Sequence, residues 1–114
     1  MMITRLDDGG VTRLMLRGEL DMATGDDLGQ QVARVLADRP EHLIVDLAGL
    51  TFCDSSGIDV LLAARESAGR AGIGFQVARP RGIVHRSLSV TGVLDVLTAE
   101  PAPVSDREAA GGRP

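Results

Sequence analysis

Residues 43–64 read as a strand, a polar turn and a helix, and this passage constrains the fold more than any other. The apolar run Leu43-Ile44-Val45 is short and unbroken, as expected of a central strand buried on both faces. Thr51-Phe52-Cys53-Asp54-Ser55-Ser56-Gly57 follows, and a helical pattern starts at Ile58-Asp59-Val60-Leu61-Leu62-Ala63-Ala64. The turn therefore sets an aspartate and two adjacent serines at a strand-to-helix junction. The first turn of a helix has N–H groups with no internal partner and the positive end of the helix dipole. Such a place receives anions, phosphate included, so a hydroxyl held there can carry a phosphate at little structural cost.

The remaining segments fall into order around this unit. Met1 to Leu6 reads as a first strand, Asp7-Asp8-Gly9-Gly10 as a hairpin turn, and the alternating Val11 to Arg17 as its antiparallel partner. The second strand exits through Gly18-Glu19-Leu20-Asp21. A helix is predicted from Thr24, with Thr24 as its cap, Asp27 completing a weak capping box, and Leu28, Val32, Val35 and Leu36 as its inner stripe. His42 to Leu47 is a third strand, ended by Asp46-Leu47, and Ala48 to Cys53 leads into the turn. The second helix spans about Ser56 to Gly69, with Ile58, Leu61, Leu62 and Ala68 inward. Ile73 to Ala78 is a fourth strand. A third helix after Pro80 offers Ile83, Val84 and Leu88 to the core and stops at Thr91-Gly92. Val93 to Leu97 is predicted as a fifth strand.

This β-β-α-β-α-β-α-β order implies an α/β fold with a mixed, mostly parallel five-stranded sheet and right-handed crossover helices. The folded domain is expected over 1–98. Residues 99–114, rich in Ala, Pro and Gly, form a tail in which Ser105-Asp106-Arg107-Glu108 could cap a short helical turn.

Composition narrows the function classes. A chain of 114 residues is one domain with a modest core, and with two phenylalanines as its only aromatics that core must be aliphatic. A net charge of −4 argues against nucleic acid as a partner, because phosphate backbones are bound by dense Lys and Arg. Every basic residue is arginine, which a GC-rich genome explains. The lone Cys53 forms no internal disulfide, no signal peptide opens the chain, and no apolar run reaches membrane-span length. A cytoplasmic protein without membrane, metal or cofactor is expected. His42 and His85 read as surface residues, since neither lies in a ligand-like cluster.

In open α/β sheets functional groups gather beyond the carboxyl ends of the strands. Asp21, Asp46 and Asp54-Ser55-Ser56-Gly57 are expected there. Spacing alone allows Ser55 or Ser56 to be nothing more than a helix N-cap. Asp46 reads as a strand-end hydrogen-bonding residue, and Asp21 as either a turn former or an interface residue.

Four elements together, Gly18-Glu19-Leu20-Asp21, Leu43-Ile44-Val45-Asp46-Leu47, Phe52-Cys53-Asp54-Ser55-Ser56-Gly57 and Thr91-Gly92-Val93, resemble those of STAS domains. The branch they are most similar to is the bacterial anti-sigma factor antagonists, over about residues 2 to 98. The resemblance implies that Ser55 is phosphorylated by a partner, an anti-sigma factor that is also an ATP-dependent serine kinase. It implies that the unphosphorylated form binds this partner and frees a sigma factor, and that a PP2C-type phosphatase resets the cycle. Asp21 and Asp54 become acidic partner contacts, and Ser56 and Gly57 shape the turn. Catalytic residues are not expected.

The sequence departs from the family's pattern at Cys53, read as a small buried hydrophobe, and at Ser87, which stands where an apolar residue is usual. It departs again in a C-terminal helix reduced to Ser105–Ala110. Two other function classes compete. An unphosphorylated STAS adaptor or scaffold subunit would leave Ser55 bare. A serine hydrolase would need a base and an oxyanion hole, and the chain lacks a Gly-x-Ser-x-Gly elbow.

Overall fold

The computed structural model describes residues 1–101. The chain runs β1 (Met2–Asp8), β2 (Val11–Leu20), α1 (Gly25–Ala37), β3 (His42–Cys53), α2 (Ser55–Arg70), β4 (Gly74–Ala78), α3 (Gly82–Val90) and α4 (Leu94–Thr98). The sheet has four strands in the order β1-β2-β3-β4. β1 and β2 are antiparallel through the two-residue turn Gly9-Gly10, whose positive φ values of 56° and 88° are the ones a type I′ hairpin requires. β2–β3 and β3–β4 are parallel, joined by helical crossovers.

Period-2 alternation sends Leu14 and Leu16 of β2, Leu43, Val45 and Leu47 of β3, and Phe75 and Val77 of β4 into one core. Helix α1 adds Leu28, Val32 and Val35, α2 adds Ile58, Leu61, Ala64 and Ala68, and α3 adds Val84 and Leu88. Leu62, expected inside, is only half-buried.

Several expectations are corrected. Val93–Leu97 is not a fifth strand: Val93 is the N-cap residue of α4 and Leu94–Leu97 lie in it, with the Leu97 N–H bonded to the Val93 carbonyl at 3.0 Å. A strand would have placed Asp95 on the same face as Val93 and Leu97. The helix brings Val93 and Leu97 together one turn apart and leaves Asp95 in water. Thr24 occupies the N-cap position of α1 but caps nothing with its side chain. Its hydroxyl is taken by the preceding loop, donating to the Glu19 carbonyl and accepting the Asp21 N–H, both at 2.9 Å. Ile83 is 58% exposed, because α3 turns Val84 and Leu88 inward. His42 is half-buried rather than on the surface, and Gly74 leaves room for its imidazole. The expected helical turn at Ser105–Ala110 lies outside the described residues.

Asp46 needs the largest revision. β3 does not end there but continues to Cys53, so Asp46 sits mid-strand, paired with Ala78 at the end of β4 and well short of the Asp54 turn. It is 1% exposed and accepts from Arg13 at 2.9 Å, Arg79 at 2.6 Å and the Ala48 N–H at 2.9 Å. Burial alone would raise its carboxyl, but the two guanidiniums and the amide hold it below the ordinary carboxylate range. It is a structural ion-pair centre between β2, β3 and the residue after β4.

Candidate functional site: the β3–α2 turn

The site is built where β2 and β3 end side by side. Leu20 pairs with Cys53, and the Asp54 N–H reaches the Leu20 carbonyl at 3.3 Å. Register shifts between Met15 and Arg17 and between Gly18 and Glu19 bend this end of β2, with Gly18 at a φ of 104°. Such bulges re-aim the residues beyond them. Asp21 and Asp54 thus follow directly on the ends of neighbouring strands.

Asp54 is the N-cap of α2. Its backbone is extended, its Oδ1 accepts the Gly57 N–H at 3.0 Å, and its carbonyl takes the Ile58 N–H at 3.0 Å. A cap of this kind is worth about 1 kcal/mol. Gly57 is buried against β2, where a Cβ would come within 2.7 Å of the Leu20 carbonyl and 2.9 Å of the Cys53 sulfur. Only a residue without a side chain lets the helix start this close to the strand end.

With Asp54 capping, the serines are released from that duty. Ser55 is exposed and Ser56 half-buried, and neither hydroxyl makes a hydrogen bond among the described residues. Ser55 opens α2 at its first residue, beside N–H groups that the helix itself leaves unpaired. Cys53 is buried, and burial together with Asp54 pushes its thiol up to about 11. It therefore stays protonated at neutral pH and behaves as a packing residue.

Asp21 is committed to its own loop. Its Oδ1 accepts the N–H groups of Ala23 at 2.9 Å and Thr24 at 3.2 Å, and its carbonyl accepts the Gly25 N–H at 2.9 Å. This is a turn that sets the start of α1. Asp21→Ala should therefore cost about 1 kcal/mol of stability, whereas Asp21→Asn, which keeps the acceptor oxygen, should melt close to the native protein. Thermal melts of the two variants check this.

A groove of about 760 Å³ opens beside Ser55, between the start of α2 and α3. Its walls include Ile58, Ile83, Arg86 and Val90, with Ile83 58% and Val90 77% exposed. Sequence reasoning missed this face of α3. Its signal was present: Ile83, Ser87 and Val90 recur at helical spacing on a stripe distinct from Val84 and Leu88. Ser87 lines the groove, which accounts for a hydroxyl at that position.

Neither histidine attends Ser55. His42 stands at the opposite end of the twelve-residue β3, and His85 is exposed on α3 outside the groove lining. Among the described residues there is no group of three or more His, Cys, Asp or Glu able to hold a metal, and no helix long and apolar enough to cross a membrane.

Comparison with known proteins agrees with this architecture. Residues 3–109 match the STAS domain family. The anti-sigma-F factor antagonist RsfB of Mycobacterium tuberculosis is 31% identical over 91 residues, spanning 80% of this chain and 74% of RsfB. The anti-sigma F factor antagonist of Paenibacillus polymyxa is 32% identical over 100 residues, spanning 87% of this chain and 81% of the relative. The crystal structure of an anti-sigma factor antagonist from Mycobacterium paratuberculosis superposes with a TM-score of 0.75 at 32% identity, covering 96% of this chain and 92% of that one. The chain belongs to the STAS domain family and, within it, to the branch of the anti-sigma factor antagonists.

Proposed function

We propose that this protein antagonises an anti-sigma factor and is switched by phosphate on Ser55. In its unphosphorylated form it binds the anti-sigma factor, through a surface that includes Asp21, Asp54, Ser55, Ser56 and Gly57, and a sigma factor is released. The anti-sigma factor, acting as an ATP-dependent serine kinase, phosphorylates Ser55 and ends the interaction. A PP2C-type phosphatase restores the free hydroxyl. The functional unit is residues 1–98 with 99–114 as an appended tail, and the cycle runs in the cytoplasm.

One observation carries this reading. The Ser55 hydroxyl is exposed at the first residue of α2 and has no structural employment among the described residues, because Asp54 does the capping. A residue needed only as a cap would be hydrogen-bonded to the helix N–H groups. The chain itself performs no catalysis in this scheme: Ser55 has no histidine to act as its base, and Cys53 holds its proton.

Ser55→Ala tests it. With the anti-sigma factor and ATP present, the variant should remain bound while the native protein dissociates as it is modified, followed by size-exclusion chromatography over time. A scaffold subunit would give identical time courses for both. Turnover of ester substrates that is lost in Ser55→Ala would instead favour a hydrolase.

A further inference from the structure

The groove beside Ser55 has one charged group in its lining, the guanidinium of Arg86 on α3. Arg86, like Arg17, Arg34, Arg39, Arg65 and Arg81, enters no ion pair among the described residues, and of these only Arg86 lines the groove. A chain with a net charge of −4 thus places an unopposed cation in the same groove as the serine at the start of α2. We propose that Arg86 pairs with the phosphate on Ser55 across this groove, tying α2 to α3 and closing the apolar walls formed by Ile58 and Ile83. The inference rests on Ser55 as the phosphate carrier.

The chemistry suits the pair. A phosphoserine brings roughly −1.5 to −2 charge and three strong acceptor oxygens. Arginine meets phosphate with a planar, two-pronged donor set on a long flexible stem. The first-turn N–H groups of α2 approach the same phosphate from the other side. The remaining charges nearby oppose it: Asp54 at the cap, Asp59 on the next turn of α2, and Asp21 on the adjoining loop. Arg81, just before α3, and His85 on it lie outside the groove lining. Arg86 is therefore the cation that the groove itself supplies. Closing the groove also gives phosphate a means of blocking a partner without unfolding the domain.

The test uses the full chain with phosphoserine incorporated genetically at position 55, so that no kinase is required. Phosphorus NMR follows the phosphate through pH in the native background and in Arg86→Gln, Arg86→Lys and Arg81→Gln. All three variants alter exposed side chains and should melt as the native protein does. Arg86→Gln is expected to raise the titration midpoint of the phosphate by roughly half a pH unit or more, because the opposite charge that favours the dianion is gone. Arg86→Lys should keep most of the native value, and Arg81→Gln should leave it unchanged. An unmoved midpoint in Arg86→Gln, or one moved by Arg81→Gln alone, overturns the pairing. Because the phosphate is installed during synthesis, that result would leave Ser55 standing as the kinase target. Phosphate mapped elsewhere after kinase treatment would sink the acceptor assignment and leave the pairing measurement intact.

Discussion

Phosphate on Ser55 is expected to lower affinity for the anti-sigma factor by roughly two to three orders of magnitude while the domain stays folded. The fold should hold because the charge arrives at the start of a sixteen-residue helix, where the dipole favours it by about 0.3–1 kcal/mol if exposed. Repulsion from Asp21 and Asp54 works against this, but the core beneath the turn is apolar and carries no charge for the phosphate to oppose. The loss must then occur at the interface. Even with Arg86 beside it, the phosphate would be buried next to Asp54 and Asp21 and against a partner surface shaped for a neutral hydroxyl. A buried charge without its full complement costs about 3–5 kcal/mol. At about 1.4 kcal/mol per tenfold this gives the stated loss. Calorimetric titration and thermal melts of both forms measure the two halves together. Equal affinity for both forms contradicts the switch, and a phosphoprotein that fails to bind because it has unfolded contradicts the mechanism.

Asp46→Ala should be the most damaging substitution of a single charged residue away from the turn. Its carboxylate is buried and receives two guanidiniums and an amide. Its removal leaves Arg13 and Arg79 without their shared partner at the sheet surface. Both arginines are partly exposed and can turn to water, which brings the loss below the usual 3–5 kcal/mol for a broken buried pair, to roughly 2–3 kcal/mol. The pH dependence has a definite sign. The folded carboxyl lies below its unfolded value, so its stabilisation is fully present above about pH 4–5 and fades as pH falls through the lower folded value. The stability gap between native protein and Asp46→Ala, measured by urea unfolding, should therefore be widest near neutrality and narrow in acid. A gap that is constant with pH would mean the carboxylate contributes through shape rather than charge.

The order of the first seven elements was legible because each long segment carries one clear period. Strand β2 alternates, β3 opens on an unbroken apolar run, and α1 repeats Leu28, Val32 and Val35. Val93–Leu97 was misread because five residues carry too little pattern to separate a strand from a helical turn. Asp46 was misplaced because a charged residue and a following Ala48-Gly49 look like a strand end, whereas Leu47, Leu50 and Cys53 keep the strand buried to its true end. The turn at Asp54–Gly57 and its neighbour Asp21 could be located from sequence, since both follow strands. Which side chain does the capping could not be: Asp54, Ser55 and Ser56 are all good caps, and only the backbone geometry assigns the task to Asp54 and frees Ser55. The groove was hidden because its walls come from α2 and α3, which only the tertiary fold brings together.

The central claim is that Ser55, and not its neighbour, receives the phosphate. Incubation of the protein with its cognate anti-sigma factor and ATP, followed by phosphopeptide mapping across Asp54–Gly57, tests it most directly. Phosphate on Ser55 with Ser56 unmodified is the predicted result. Phosphate on Ser56 with Ser55 bare would contradict it.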